Sequence, residues 1–209
     1  MYRSPSVDGT GKYYLGREIA KVMDASGADW LERPERQTEE NTDLAIDSMK
    51  LGLAAVIADI GAGTGFYTFR IASKVPNGKV YAVEVQEELI RYLEEKKSQT
   101  GTQNVRVIRG DSIRVNLPES SVDLAIMVDV YHELAWPMEI IQSIRKSLKP
   151  DGRILLIEYR GEDLSIPIKA LHKTTVTQIS REMKANDFIL ERQDEFLPIQ
   201  HFLVFRKKG

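Results

Sequence analysis

Cysteine is absent from the 209 residues, which excludes disulfides, thiolate metal sites and a cysteine nucleophile. Long apolar runs are missing as well. No stretch approaches the ~20 residues that cross a bilayer, and Met1 to Gly16 is polar, with no signal-peptide core. No membrane partner is therefore expected, and the chain reads as cytoplasmic. An excess of charge of one sign is the third absence. A formal net charge of −2 leaves no electrostatic footprint for a polyanion, so nucleic acid is not an expected partner, and Arg206, Lys207 and Lys208 read as a solvated tail. What remains, 42% hydrophobic and 29% charged residues, is the balance of a globular protein with enough chain for one complete core.

From Val56 onward, β-rich runs alternate with helical patterns, which predicts an α/β fold with a mostly parallel sheet and helices on both faces. Strands are expected at Val56 to Ile60, Lys79 to Val85, Val105 to Gly110, Leu124 to Val130 and Arg153 to Tyr159. The run Leu124 to Val130 is nearly all apolar and should lie mid-sheet, buried on both faces. Helices are expected over Phe66 to Val75, over Gln86 to Ser98, and through Ile141, Ile144 and Leu148. Lys149, Pro150, Asp151 and Gly152 should break the last of these. Thr175 and Gln178 suggest a capping box for a helix carrying Val176, Ile179 and Met183, with Asn186 in the left-handed closing position. The final strand-like runs, Phe188 to Glu195 and His201 to Arg206, have no room for a crossover helix between them and must be antiparallel to each other.

The first fifty residues read differently. Leu15, Ile19, Val22 and Met23 predict an amphipathic helix, and Leu44, Ala45 and Met49 predict another. Between them, Asp29 to Arg36 reads as a charged surface loop or broken helix. Residues 1–50 are thus expected to be an N-terminal helical cap over the ligand edge of a core formed by 51–209.

Asp59-Ile60-Gly61-Ala62-Gly63-Thr64-Gly65-Phe66 falls between an expected strand and an expected helix, where open parallel sheets bind ligands. The spacing is G-x-G-x-G, and Phe66 stands where the dinucleotide fingerprint needs its third glycine. A pyrophosphate ligand is disfavoured, which speaks against a nicotinamide-dependent oxidoreductase. A ligand with an amino-acid tail fits better, with Asp59 orienting an ammonium group and loop amides facing a carboxylate. Glu84 ends the second strand about 20 residues on, where an acid accepts hydrogen bonds from both ribose hydroxyls. Asp111 follows the third strand, placed to accept from an exocyclic adenine amine. Each acid alone reads as a strand-end cap, but the loop and two acids at three successive strand ends converge on a nucleoside.

These motifs are similar to those of class I S-adenosylmethionine-dependent methyltransferases, in the small-molecule branch related to quinone-biosynthesis enzymes. The resemblance covers Val56 to Arg206. Val56 to Gly65 resembles the family's first motif, Val80 to Glu84 the ribose motif and Gly110-Asp111 the adenine motif. Asp123 to Glu133 looks like the fourth motif, and Leu148 to Arg153 like the turn before the fifth strand. The resemblance implies a Rossmann-like, seven-stranded, mostly parallel sheet with one antiparallel strand. It implies S-adenosylmethionine as cofactor and a small-molecule methyl acceptor as partner. It also places Asp59, Gly61, Ala62, Gly63, Thr64, Gly65, Phe66, Glu84, Val85, Gly110, Asp111, Ser112, Asp129 and Tyr131 at the cofactor.

Methyl transfer is an in-line displacement, so alignment and exclusion of water come first. An acceptor hydroxyl or protonated amine must also lose a proton, and the best placed bases are His132 and Glu133, just past the fourth strand. Glu158 and Tyr159 can line the acceptor pocket, as can the aromatics Tyr13, Tyr14, Trp30 and Trp136. His172 and His201 read as structural. No metal is expected, since His132, Glu133 and Glu158 lack ligand spacing such as H-x-x-x-H. Two alternatives stay open: a protein or RNA acceptor, and a non-catalytic S-adenosylmethionine-binding protein. Nothing in the sequence sets an oligomeric state.

Overall fold

A computed structural model describes residues 1–209. Seven strands form the central sheet: β3 (Val56–Ile60), β4 (Lys79–Glu84), β5 (Val105–Arg109), β6 (Val122–Val128), β7 (Leu148–Tyr159), β8 (Phe188–Asp194) and β9 (Gln200–Lys207). Their order is β5-β4-β3-β6-β7-β9-β8, with β9 antiparallel to both of its neighbours and the pairs from β5 through β7 parallel. The Rossmann-like sheet with one antiparallel strand is therefore as expected. The chain runs outward from β3 to β4 and β5, then returns to place β6 on the other side of β3. That reversal leaves a crevice at the carboxyl ends of β3 and β6, the place where such sheets take ligands.

Helices cover both faces. α3 (Thr42–Ser48), α4 (Phe66–Lys74) and α5 (Glu87–Thr100) bury Ile46, Ile71 and Leu93 against one face. On the other, α6 (Pro137–Ser147) and α7 (Val176–Ala185) bury Ile141, Ile144, Ile179 and Met183. Ile126 and Met127, adjacent in β6, are both fully buried and point into opposite cores, as the alternation of a strand between two helix layers requires. The break expected at Lys149 to Gly152 is instead absorbed into β7 as an irregularity: Val122 pairs with Leu148 and Leu124 with Arg153. At the start of α7, Thr175 accepts the amide of Gln178 at 3.2 Å, but the Gln178 side chain turns to Leu15 and Glu182 rather than completing a capping box. Past the C-terminus of the helix the left-handed residue is Asp187 (φ 61°), not Asn186, which is fully buried and hydrogen-bonded to Tyr14.

The N-terminal region departs most from expectation. Leu15, Ile19, Val22 and Met23 do not lie on a helix; β1 (Gly9–Tyr14) and β2 (Arg17–Ala20) form an antiparallel hairpin. Tyr14 pairs with Arg17 across the two-residue turn Leu15-Gly16, and both turn residues have positive φ (44° and 97°). Two short helices, α1 (Ala28–Leu31) and α2 (Arg36–Glu40), follow before α3. Residues 1–50 are therefore part hairpin and part helix.

Arg17 anchors the hairpin. Its guanidinium meets the Glu182 carboxylate with two 2.9 Å contacts and donates a third hydrogen bond to the His132 carbonyl at 2.9 Å. Glu182 is fully buried and also accepts from Tyr131 and Gln178, both at 2.7 Å. The hairpin, α7 and the turn after β6 are thus tied through one buried ion pair.

Candidate functional site

The crevice opens into a cavity of about 680 Å³. Its floor is the glycine loop between β3 and α4. Gly61, Gly63 and Gly65 all have φ between 57° and 78°, and a Cβ on Gly61 would lie 2.7 Å from the Val130 side chain. The backbone conformation and the close approach of β6 both demand glycine there. The amides of Gly61 and Ala62 are taken up by the Val83 carbonyl, which fixes the loop to β4.

Glu84 reaches this loop from β4. One carboxylate oxygen accepts from Gly63 N at 2.9 Å, the other from the amides of Val85 and Gln86 at 2.7 and 3.0 Å. Asp59, at the end of β3, is buried and accepts from the Thr68 hydroxyl at 2.6 Å. Burial pushes its carboxyl up to about 6; the Thr68 bond opposes this and the nearby Glu84 reinforces it. A carboxylate held at that cost is relieved by a cationic group entering the cavity. Asp111 sits half-exposed at the rim, its carboxyl held below the usual range by the amide of Ile113 against a small burial effect, then by the amide of Arg114.

Of the residues placed at the cofactor, Asp59, Gly61, Ala62, Gly63, Thr64, Phe66, Glu84, Val85, Gly110, Asp111, Ser112 and Asp129 line the cavity. Two do not. Gly65 is not in the wall and provides the left-handed N-terminal cap of α4. Tyr131 turns into the core, fully buried, with its hydroxyl on Glu182, because the three-residue turn after β6 points successive side chains to different sides. Among the proposed pocket aromatics, Trp30 and Tyr159 reach the cavity, while Tyr13, Tyr14 and Trp136 do not.

The far wall carries His132, Glu133 and His172. His132 is buried, with Nδ1 2.6 Å from Glu158 and Nε2 3.1 Å from His172 Nδ1. Burial opposes its charge, but Glu158 and then Glu133 drive the imidazole up to about 10. Burial likewise opposes ionisation of Glu133, and hydrogen bonds from His132 and His172 bring it down to about 2. Both ring nitrogens of His132 are engaged, so the free base expected from the sequence is not what the turn presents. Glu158, fully buried, is held by the amides of Val130 and Tyr131 at 3.0 and 2.7 Å.

The sequence marks His172 as structural and Arg36 as part of a surface segment, yet both line the site. Arg36 is buried, bonds Glu40 at 2.7 Å and the Leu31 carbonyl at 3.0 Å, lies 4.0 Å from Asp129, and covers the Phe66 ring. Glu40 and Leu31 are local partners, but the contacts that bring Arg36 to the site, with Asp129 and Phe66, come from distant segments. Burial, together with Glu40 and Glu158, raises Asp129 well above the ordinary carboxylate range. Met23, Trp30 and Leu31 roof the cavity, held by the Gln86 side chain on the Met23 carbonyl (3.0 Å) and by Glu133 on the Met23 amide (3.3 Å).

An adenosine-type ligand with an amino-acid tail fits this wall. Thr64 Oγ1 and Asp129 Oδ1 are buried with no hydrogen-bond partner, and both residues line the cavity. Gly63 forms a close approach that a Cβ would narrow to 3.0 Å from Leu31. The sheet order and this crevice define the Rossmann-like class of methyltransferase folds. Residues 53–202 match the methyltransferase domain family, and the chain belongs to it. A solved structure of a SAM-dependent methyltransferase from Aquifex aeolicus superposes with a TM-score of 0.81 at 24% identity, covering 88% of this chain and 98% of that one. Among curated relatives, an uncharacterized methyltransferase-like protein of Schizosaccharomyces pombe is 30% identical over 60% of this chain and 46% of its own length. A demethylmenaquinone methyltransferase of Geobacillus stearothermophilus is 27% identical over 48% and 43%. A probable ribosomal RNA small subunit methyltransferase A of Methanosarcina barkeri is 38% identical over 37% and 25%. The chain thus matches less than half the length of each of these curated relatives. No helix is long and apolar enough to cross a membrane.

Proposed function

We propose that the protein transfers a methyl group from S-adenosylmethionine to a small-molecule acceptor held between the glycine loop and the His132-Glu133 turn. The observation that carries this reading is the continuity of one cavity from Asp59 and Glu84, through Asp129, to His132, Glu133 and His172 under the roof of Met23, Trp30 and Leu31. Its volume of about 680 Å³ lies in the range of small-molecule sites. When bound, S-adenosylmethionine supplies a methyl group on a positively charged sulfur. Glu84 accepts the ribose hydroxyls, Asp59 faces the ammonium group, and Thr64 and Asp129 offer their unpartnered oxygens. The roof excludes water, and the aromatic faces of Trp30 and Tyr159 orient the acceptor. The Geobacillus relative, whose name makes it a demethylmenaquinone methyltransferase, supports a small-molecule acceptor. The name of the Methanosarcina relative favours RNA instead, against the net charge of −2.

The test is transfer of a labelled methyl group from S-adenosylmethionine to quinols, phenols and amines in parallel with structured RNA and peptide pools. Release of S-adenosylhomocysteine with a small acceptor alone is the expected outcome; label entering only RNA or protein would overturn the acceptor class. In the same assay His132→Ala should lower turnover at least 10-fold, as loss of a group at the reacting end does, while S-adenosylhomocysteine binds as before. An unchanged rate removes His132 from the acceptor site.

Asp59 adds a pH-dependent signature. Its carboxyl titrates higher in the fold than in the unfolded chain, so its unfavourable effect on stability sets in as pH rises from about 4 to about 6 and is complete above that. Asp59→Asn keeps an acceptor for Thr68. It should stabilise the ligand-free protein by about 3 kcal/mol at pH 7.5, lose that gain near pH 4, and weaken cofactor binding. Thermal melts of both proteins across this pH range check it, and an equal effect at both ends would contradict it.

A further inference from the structure

We propose that His132, Glu133 and His172 form a binding site for one divalent first-row transition metal ion, zinc or a close relative, with a fourth coordination position open to the cavity. Its role towards the acceptor rests on the methyl-transfer reading above, whereas the binding itself does not.

Three donor atoms converge. His132 Nε2 lies 3.1 Å from His172 Nδ1 and 3.6 Å from Glu133 Oε1, and the same Glu133 oxygen lies 3.4 Å from His172 Nδ1. A tetrahedral zinc ion with ligands at about 2.0–2.1 Å spaces them about 3.3–3.4 Å apart, and a point equidistant from these three atoms lies about 2.0 Å from each. The triangle therefore matches one face of a tetrahedral coordination shell. All three residues line the cavity, so the remaining position faces the space assigned to the acceptor. Three protein ligands and one open position is the arrangement of metal sites that do chemistry rather than hold a fold.

The outer shell points the same way. A metal-binding imidazole normally gives its other N–H to a carboxylate, which fixes the ring and its tautomer. His132 does so to Glu158 at 2.6 Å, and Glu158 is locked in turn by the amides of Val130 and Tyr131. Glu133 is steadied by the Met23 amide. Two carboxylates, Glu133 in the triangle and Glu158 behind His132, give the site the negative charge that a divalent ion needs. The ligands come from two turns far apart in sequence, Tyr131–Glu133 and Ala170–His172, which is why no spacing motif announces them.

An acceptor hydroxyl or thiol at the open position would lose its proton to solvent as the ion lowers its pKa. The freed lone pair forms the bond to the methyl carbon while the carbon–sulfur bond breaks, its electrons leaving on the now neutral thioether. One proton is released per methyl transferred, and His132 need not accept it.

Tag-free protein, stripped with a chelator and exchanged into clean buffer, is titrated with zinc by calorimetry and with cobalt(II) by visible absorption. One ion per chain is expected, with an intense tetrahedral cobalt spectrum. His172→Ala and Glu133→Gln should each weaken binding at least 100-fold, and Glu158→Gln about 10–100-fold. His201→Gln, at a histidine paired elsewhere with Glu162 and Glu195, should bind as wild type. Absence of saturable binding by the wild type, or wild-type affinity in both His172→Ala and Glu133→Gln, overturns the site. S-adenosylhomocysteine is titrated into the same samples. Its binding without metal uptake ends the metal proposal alone, and metal uptake without it ends the cofactor reading alone.

Discussion

Glu182→Ala is expected to destabilise the protein by about 3–5 kcal/mol, measured by urea unfolding, because it strands a buried guanidinium. The Arg17 and Glu182 side chains are only 8% and 0% exposed, so the substitution leaves the guanidinium largely desolvated without its carboxylate partner. Burial alone would lower the Arg17 pKa, yet the bonds to Glu182 hold it above its ordinary value. Tyr131 and Gln178 would also lose an acceptor. The joint replacement of Arg17 by Met and Glu182 by Leu should recover most of the loss, since two apolar groups leave no orphan charge. A loss below about 1 kcal/mol in Glu182→Ala would mean that the hairpin is not docked on α7 as described.

Glu84→Ala is expected to weaken S-adenosylhomocysteine binding by about 3 kcal/mol, roughly 150-fold, measured by calorimetry. The carboxylate is 4% exposed and does two things at once. In the proposed function it accepts the ribose hydroxyls, and it already holds the amides of Gly63, Val85 and Gln86. Removing it therefore loses ligand bonds and loosens the floor of the site. Glu84→Gln separates the two. The amide oxygen can retain part of the backbone network, but the group has one acceptor instead of two, so an intermediate affinity is expected. Wild-type affinity in both variants would refute the ribose role.

The core strands and the glycine-loop end of the site were legible because their signals are local. Asp59, the three glycines and Glu84 owe their positions to strand-to-loop transitions a few residues long, and the apolar run from Leu124 marks the buried part of β6, which ends at Val128 rather than Val130. The N-terminal misreading is also physical. Leu15, Ile19 and Met23 recur every four residues, as on one helix face, but Leu15 lies in the hairpin turn, Ile19 in β2 and Met23 beyond it, so the recurrence is not that of one element. Gly16, which permits the hairpin turn, was the discriminating residue. Tyr131 was misplaced for a related reason: side-chain direction within a three-residue turn follows from packing against α7, not from its distance from β6.

Chain order alone thus specifies the alternating sheet, its single reversed strand and the row of acids and glycines at its carboxyl edge, since each depends on neighbours within a few residues. Folding in three dimensions settles the rest. It buries Arg36 beside Asp129, docks Arg17 on Glu182 and carries His172 across to His132 and Glu133. Those contacts join residues dozens of positions apart, and their energies come from shared burial and charge pairing that no local pattern encodes.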